Sequence, residues 1–176
     1  MHILVGLLGV AAAVYFFFIR ARHAADVAHD VVEMASDVRS AARRFGFKRK
    51  TNVHPVETIE EPNLAIAAIA TAFVEMDDLP TKEQRDALDA ALRSQLGLDS
   101  SAAQEATILG HWFVSECHGP ETAVPRLSRK LFKLNGKESF EPLLTVVDSA
   151  VSAGSGSLNE KQREAIDEIR RVFRVS

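Results

Sequence analysis

Four acidic residues, Glu75, Asp77, Asp78 and Glu83, surround a single turn. Hard divalent cations take several carboxylate oxygens, so these residues are the chain's first candidates for metal chemistry. A calcium loop needs oxygen ligands at regular spacing through a longer loop that closes on a glutamate, and this stretch does not supply one. The local alternative is helix-start chemistry, in which acids face the positive end of the dipole. His111, Cys117 and His118 form a second cluster. The two histidines share a helix face but stand two turns apart, and no further Cys or acid lies at a chelating spacing. Cys117 reads as a small buried residue and His118, before Gly119-Pro120, as a donor at a helix end. Gly-x-Ser-x-Gly, a phosphate-cradling Gly-rich loop followed by Lys-Ser/Thr, and His-Glu-x-x-His are all missing. Gly154-Ser155-Gly156-Ser157 precedes a helix but follows another helix and has no lysine in place. The residues predict no catalytic site and no cofactor, the divalent cation being the alternative.

The elements that position these residues repeat. Asp77-Asp78-Leu79-Pro80-Thr81-Lys82-Glu83-Gln84-Arg85-Asp86-Ala87-Leu88-Asp89 recurs, altered, as Ser155 to Asp167, each residue 78 positions later. At the same offset Ile66, Ile69 and Ala72 correspond to Leu144, Val147 and Ala150. A fixed-offset self-match fixes architecture before anything else does. Here it predicts a helix–turn–helix pair used twice. Both copies share a capping residue, Gln, Arg, Ala, an aliphatic residue and the Asp that ends the stretch, which build and pack a helix. The turn acids are not shared.

Around the repeat, caps delimit helix after helix. Leu64 to Glu75 is an apolar helix. Thr81 with Gln84 forms a capping box opening Lys82 to Leu96, closed by Gly97. Ser101 with Gln104 is expected to open a helix ending at Gly119-Pro120. Glu121 to Leu134 ends at Asn135-Gly136, Leu143 to Ala153 follows Pro142 in its first turn, and the last helix runs from Asn159 to Phe173. No stretch sustains period-two alternation, so the fold class is all-α.

The first third is different. From Ile3 to Ile19 the chain is uncharged, seventeen residues that would reach roughly 25 Å as a helix, the lower limit for a bilayer core of about 30 Å. Tyr15 to Phe18 suit the interface. A cleavable signal peptide carries its positive charge before the apolar run; here Arg20 and Arg22 follow it. The expectation is an uncleaved transmembrane anchor over 1–22, N-terminus outside, with the remainder in the cytoplasm at a bacterial-type inner membrane. Residues 23–50 form a helical stalk whose Ala24, Val27, Val31, Met34, Val38, Ala41 and Phe45 make a heptad seam. The seam packs on its own domain or pairs two stalks as a homodimer coiled coil. Arg43, Arg44, Lys48, Arg49 and Lys50 at its end would meet anionic lipid or a helix terminus. Residues 51–62 read as a linker and 63–176 as the helical domain. Segment 20–50 has eight Lys/Arg against four Asp/Glu, net +4, and the rest thirteen against twenty, net −7. A nucleic-acid binder would have a basic folded domain, so none is expected as a partner. Cys117, the one cysteine, rules out an intrachain disulfide.

The doubled helical pair, with an acidic or Gly-containing turn before each second helix, resembles the TerB-like domains of tellurite-resistance proteins, also found at the N-terminus of membrane-anchored DjlA-type co-chaperones. The resemblance covers about 63–176. Family members show Asp-Gly-x-Ile/Val and then a glutamate at the turn; here Asp77-Asp78-Leu79-Pro80 and Ser155-Gly156-Ser157-Leu158 are followed by Gln84 and Gln162. The resemblance implies a protein-interaction or scaffolding module at the membrane, in an envelope-stress or metal-stress response, with an unknown protein partner held near the paired turns. Its alternatives are a metal-sensing domain built on the acids around Asp77, or a co-chaperone accessory, the J domain itself being absent.

Overall fold

The computed structural model describes residues 37–47, 52–77, 80–154 and 156–175. They hold six complete helices: α1 (Pro62–Glu75), α2 (Lys82–Leu96), α3 (Ser100–Glu116), α4 (Pro120–Asn135), α5 (Phe140–Ser152) and α6 (Glu160–Phe173), with no strand among the described residues. The all-α expectation is met. Residues 37–44 are also helical.

The domain is built around α1. Its sequence, PNLAIAAIATAFVE, has no polar face, and every residue from Leu64 to Val74 is buried. A helix apolar all round must be covered all round, and α3, α4 and α5 each pack against it. Alanines keep it slim enough for close approach. Gly110 of α3 sits so near Thr71 and Ala68 that a methyl group there would meet Thr71 Oγ1 at 2.6 Å. Full burial of each large core side chain, Leu64, Ile69 and Phe73 among them, contributes about 1.5–3 kcal/mol.

The expected pairs are joined at corners rather than zipped along their length. α2 lies mainly against α5, and α6 against α4, instead of against the helix each one follows. Phe173 at the end of α6 is held edge-on to Phe132 at a ring separation of 5.6 Å and tilted against Phe140 at 5.5 Å.

Several helix starts depart from expectation. Pro62 and Phe140, not Leu64 and Leu143, begin α1 and α5, because Pro at the first position and a preceding 3-10 turn (Gly136–Ser139) both lead into helical backbone. In α3 the cap is Asp99, not Ser101. Asp99 Oδ1 accepts from the Ala102 N–H at 2.7 Å and from the Ser101 hydroxyl at 2.8 Å, so Ser101 supports the cap instead of forming a box with Gln104. The Ala102 N–H, then the Ser101 hydroxyl and the Arg44 charge, hold the Asp99 carboxyl below its usual range. α3 ends with His118 in left-handed backbone, φ +63°. The His118 N–H reaches Ser115 O and the Gly119 N–H reaches Val114 O, a Schellman closure.

The compact unit begins at Val38, so it includes more than 63–176. Ala41 is fully buried, and Val38 and Phe45 pack on the core. These last three seam positions face their own domain and are not available to pair two stalks; the earlier ones lie outside the described residues. Phe47 stacks edge-on against Trp112 at 5.4 Å and Phe113 at 5.3 Å. Arg44 bonds Asp99, Ser101 and Glu105 at the start of α3. The segment read as linker is built in as well. Pro55–Thr58 forms a 3-10 turn, and Val56 and Ile59 have no exposed surface. Two isolated aliphatic residues lack a period, which is why the pattern alone could not place them. The span 3–19 expected to cross the membrane lies outside the described residues, and no described helix is long and apolar enough to cross one.

Candidate functional site

Both corners are made by the same bonds, 78 residues apart. At the first, the Gln84 N–H donates to Thr81 Oγ1 at 3.2 Å while Gln84 Oε1 accepts from the Thr81 N–H at 2.8 Å. At the second, the Gln162 N–H donates to Asn159 Oδ1 at 2.9 Å and Gln162 Oε1 accepts from the Asn159 N–H at 3.0 Å. Arg85 Nη1 and Arg163 Nη1 donate back to Pro80 O and Leu158 O, at 2.8 and 2.6 Å. The capping boxes satisfy helix-start donors that would otherwise be orphaned.

The two glutamines do more than cap. Both are buried, and each uses its remaining amide group beyond the box. Gln162 Nε2 donates to Phe73 O at 3.3 Å and Asn159 Nδ2 to Met76 O at 3.0 Å, so the second corner closes the C-terminal end of α1. Gln84 Nε2 donates to Asp77 Oδ2 at 3.0 Å, and its side chain lies against Gly154 with no space for a methyl group. Gly154 stands 78 positions after Met76. Each corner therefore docks on the end of the other copy's first helix.

This geometry engages two of the four acids considered as metal ligands. Asp77 accepts from Gln84. Glu75, at the end of α1, pairs with His111 Nδ1 of α3. Glu83 is exposed in the first turn of α2, and Asp78 lies outside the described residues. Among the described residues no group of three or more His, Cys, Asp and Glu is placed to hold a metal ion. The His111, Cys117 and His118 cluster is dispersed: His111 faces Glu75, Cys117 is buried with its thiol pushed up by desolvation, and His118 shapes the end of α3.

A groove of about 430 Å³ opens beside the paired corners. Met76 at the end of α1, Val124 and Pro125 of α4, and Ala165 of α6 supply its apolar lining. Glu121, Glu164, Asp167 and Glu168 face it together with Lys161 and Arg171. Lys161 Nζ bridges to Glu121 Oε1 at 2.8 Å from the facing helix, and Arg171 pairs with Glu168. The lining carries four carboxylates against two cations. Pro125, inside α4, has no N–H to give the Glu121 carbonyl, which leaves a backbone acceptor without its helical donor. The paired turns, near which a partner is expected, thus have a groove beside them. Its second wall is α4, which belongs to neither copy and carries no repeat signal. The in-helix proline was the one mark in the sequence that could have drawn attention to that wall.

No family model, no curated protein and no solved structure matches this chain.

Proposed function

We propose that this chain is a protein-interaction module, TerB-like in kind, held at the inner face of a cytoplasmic membrane by its segment 1–22 and acting as a scaffold rather than as an enzyme. The observation that supports it is the contrast between closed chemistry and open grooves. Glu75, Asp77 and Cys117 are engaged in local pairs or buried, while the groove between α4 and α6 presents apolar floor and charged walls, the composition of a partner site. The place in an envelope-stress or metal-stress response, and the alternative of a co-chaperone accessory without a J domain, rest on the family resemblance alone.

The test places a photo-crosslinking side chain at Glu164 or Asp167, and at Arg93 outside the groove, in the full-length chain in membranes. A discrete protein adduct from the groove positions and none from Arg93 is the expected result; identical adducts everywhere, or none, would sink the reading. Alkaline extraction checks the anchor, and a chain released as readily with segment 1–22 as without it is not anchored there.

A divalent cation on Glu75, Asp77, Asp78 and Glu83 is the second reading, resting on the clustering of these four acids around one turn of the sequence. Calorimetric titration with Ca²⁺, Mg²⁺ and Zn²⁺ decides it: no heat and no thermal shift removes it.

A further inference from the structure

The geometry points to a docking site for one amphipathic helix of a partner protein in the groove between α5 and α6, distinct from the groove between α4 and α6. The internal repeat supplies the template. In the first copy Ile66, Ile69, Phe73 and Leu88 are at most 2 % exposed. They belong to α1 and α2, and α3 and α5 each pack against both of those helices. The corresponding residues of the second copy, 78 positions on, are Leu144, Val147, Val151 and Ile166. They keep the apolar type but line an open cavity of about 270 Å³, and Leu144, Val151 and Ile166 are only partly buried. No described helix packs broadly on both α5 and α6. The apolar surface has been retained, and among the described helices its cover has not.

The occupant's chemistry follows from where the copies differ. Val151 stands where the first copy has Phe73, so the floor lacks the volume of an aromatic ring, and a partner's large apolar side chain would restore it. Two further positions change type. Ala70 and Leu92, both buried in the first copy, become Asp148 on α5 and Arg170 on α6, both exposed at the cavity's edges. A helix lying between them therefore needs an apolar stripe at i, i+3/i+4 and i+7, a Lys or Arg flank towards Asp148 and an acidic flank towards Arg170. Helix-in-groove recognition has this form. Edges of opposite charge suit such a helix better than the acyl chain of a lipid, which would leave both charges facing apolar surface.

The probe is a fluorescent stapled helix with a Leu/Phe stripe, lysines on one flank and glutamates on the other, titrated by anisotropy against the full chain in lipid nanodiscs. Saturable binding is expected. Asp148→Lys or Arg170→Glu should each weaken it about fivefold, the magnitude of an exposed charge pair. The double variant should regain affinity for a probe with its flanks exchanged. Val151→Phe, which restores the first copy's residue, should fill the groove and abolish binding while raising the melting temperature. Binding that ignores both charge reversals, binding displaced equally by empty anionic vesicles, or no binding at all overturns the proposal. Glu164→Lys, in the α4–α6 groove, should leave probe affinity unchanged, so failure of one groove does not count as failure of the other.

Discussion

The side-chain amide of Gln162 donates to the backbone carbonyl of Phe73, 89 residues earlier, at 3.3 Å and out of contact with water. Its oxygen is simultaneously held by the Asn159 N–H, so one side chain starts α6 and finishes α1. Gln162→Ala removes both bonds and should cost about 1–3 kcal/mol. Gln162→Glu keeps the acceptor and loses the donor, placing a carboxylate against a carbonyl. The folded state then favours the protonated acid, which raises its folded pKa above the unfolded value of about 4.3. Stability is retained below the unfolded value and lost as pH rises through the raised folded one. Urea unfolding at pH 4 and pH 7 separates the cases; a Gln162→Glu deficit independent of pH would mean the Phe73 bond is immaterial.

Gly110→Ala should destabilise the domain although alanine is the better helix former. Propensity favours the change by about 1 kcal/mol, but the added methyl meets Thr71 Oγ1 at 2.6 Å, Thr71 Cβ at 2.9 Å and the Ala68 backbone at 3.3 Å. Forcing α1 and α3 apart costs about 1–3 kcal/mol. Calorimetry should record a lower melting temperature, and an unchanged or higher one would show that the helices yield freely.

His118→Gly should do the opposite. At φ +63° a side chain carries the left-handed penalty that glycine escapes, about 1–2 kcal/mol, offset in part by glycine's freedom in the unfolded chain. A gain of up to about 1 kcal/mol in denaturant unfolding is expected; a loss would reveal a contact of the imidazole worth more than the strain.

Local features were readable in the sequence and shared surfaces were not. The capping box at Thr81/Gln84 could be found because its members lie three residues apart, and α2 runs over the residues assigned to it. The second role of each glutamine could not be found, since the bonds from Gln162 to Phe73 and from Asn159 to Met76 cross the domain. The same reason hid Val56 and Ile59, whose burial depends on what folds over them, and the α4 wall of the candidate groove. The acids around Asp77 were visible as a cluster, but their engagement by His111 and Gln84 depends on distant or newly folded neighbours.

Asp99 gives a pH test. Its carboxyl is held below the usual range by the Ala102 N–H first and by Ser101 and Arg44 after it. A depressed folded pKa contributes stability that is present above the unfolded value, about 3.9, and is lost as pH falls through the folded one. Wild type should exceed Asp99→Asn in melting temperature by a constant margin from pH 5 to pH 7, and the margin should shrink on acidification below pH 4. A margin that persists at low pH would assign the cap to neutral hydrogen bonding.

The reciprocal corners also set an order of events during synthesis. The carbonyls at the end of α1 wait for Asn159 and Gln162, which leave the ribosome after α1 to α5, and the apolar run from Leu64 to Val74 waits for α3, α4 and α5 to surround it. Contacts spanning that much chain form late and carry a loop-closure penalty. The first copy is therefore no autonomous folding unit despite its duplicated sequence. Until α3, α4 and α5 have emerged the nascent chain carries α1 with its apolar surface unshielded, and the carbonyls at its end stay open until the second corner follows.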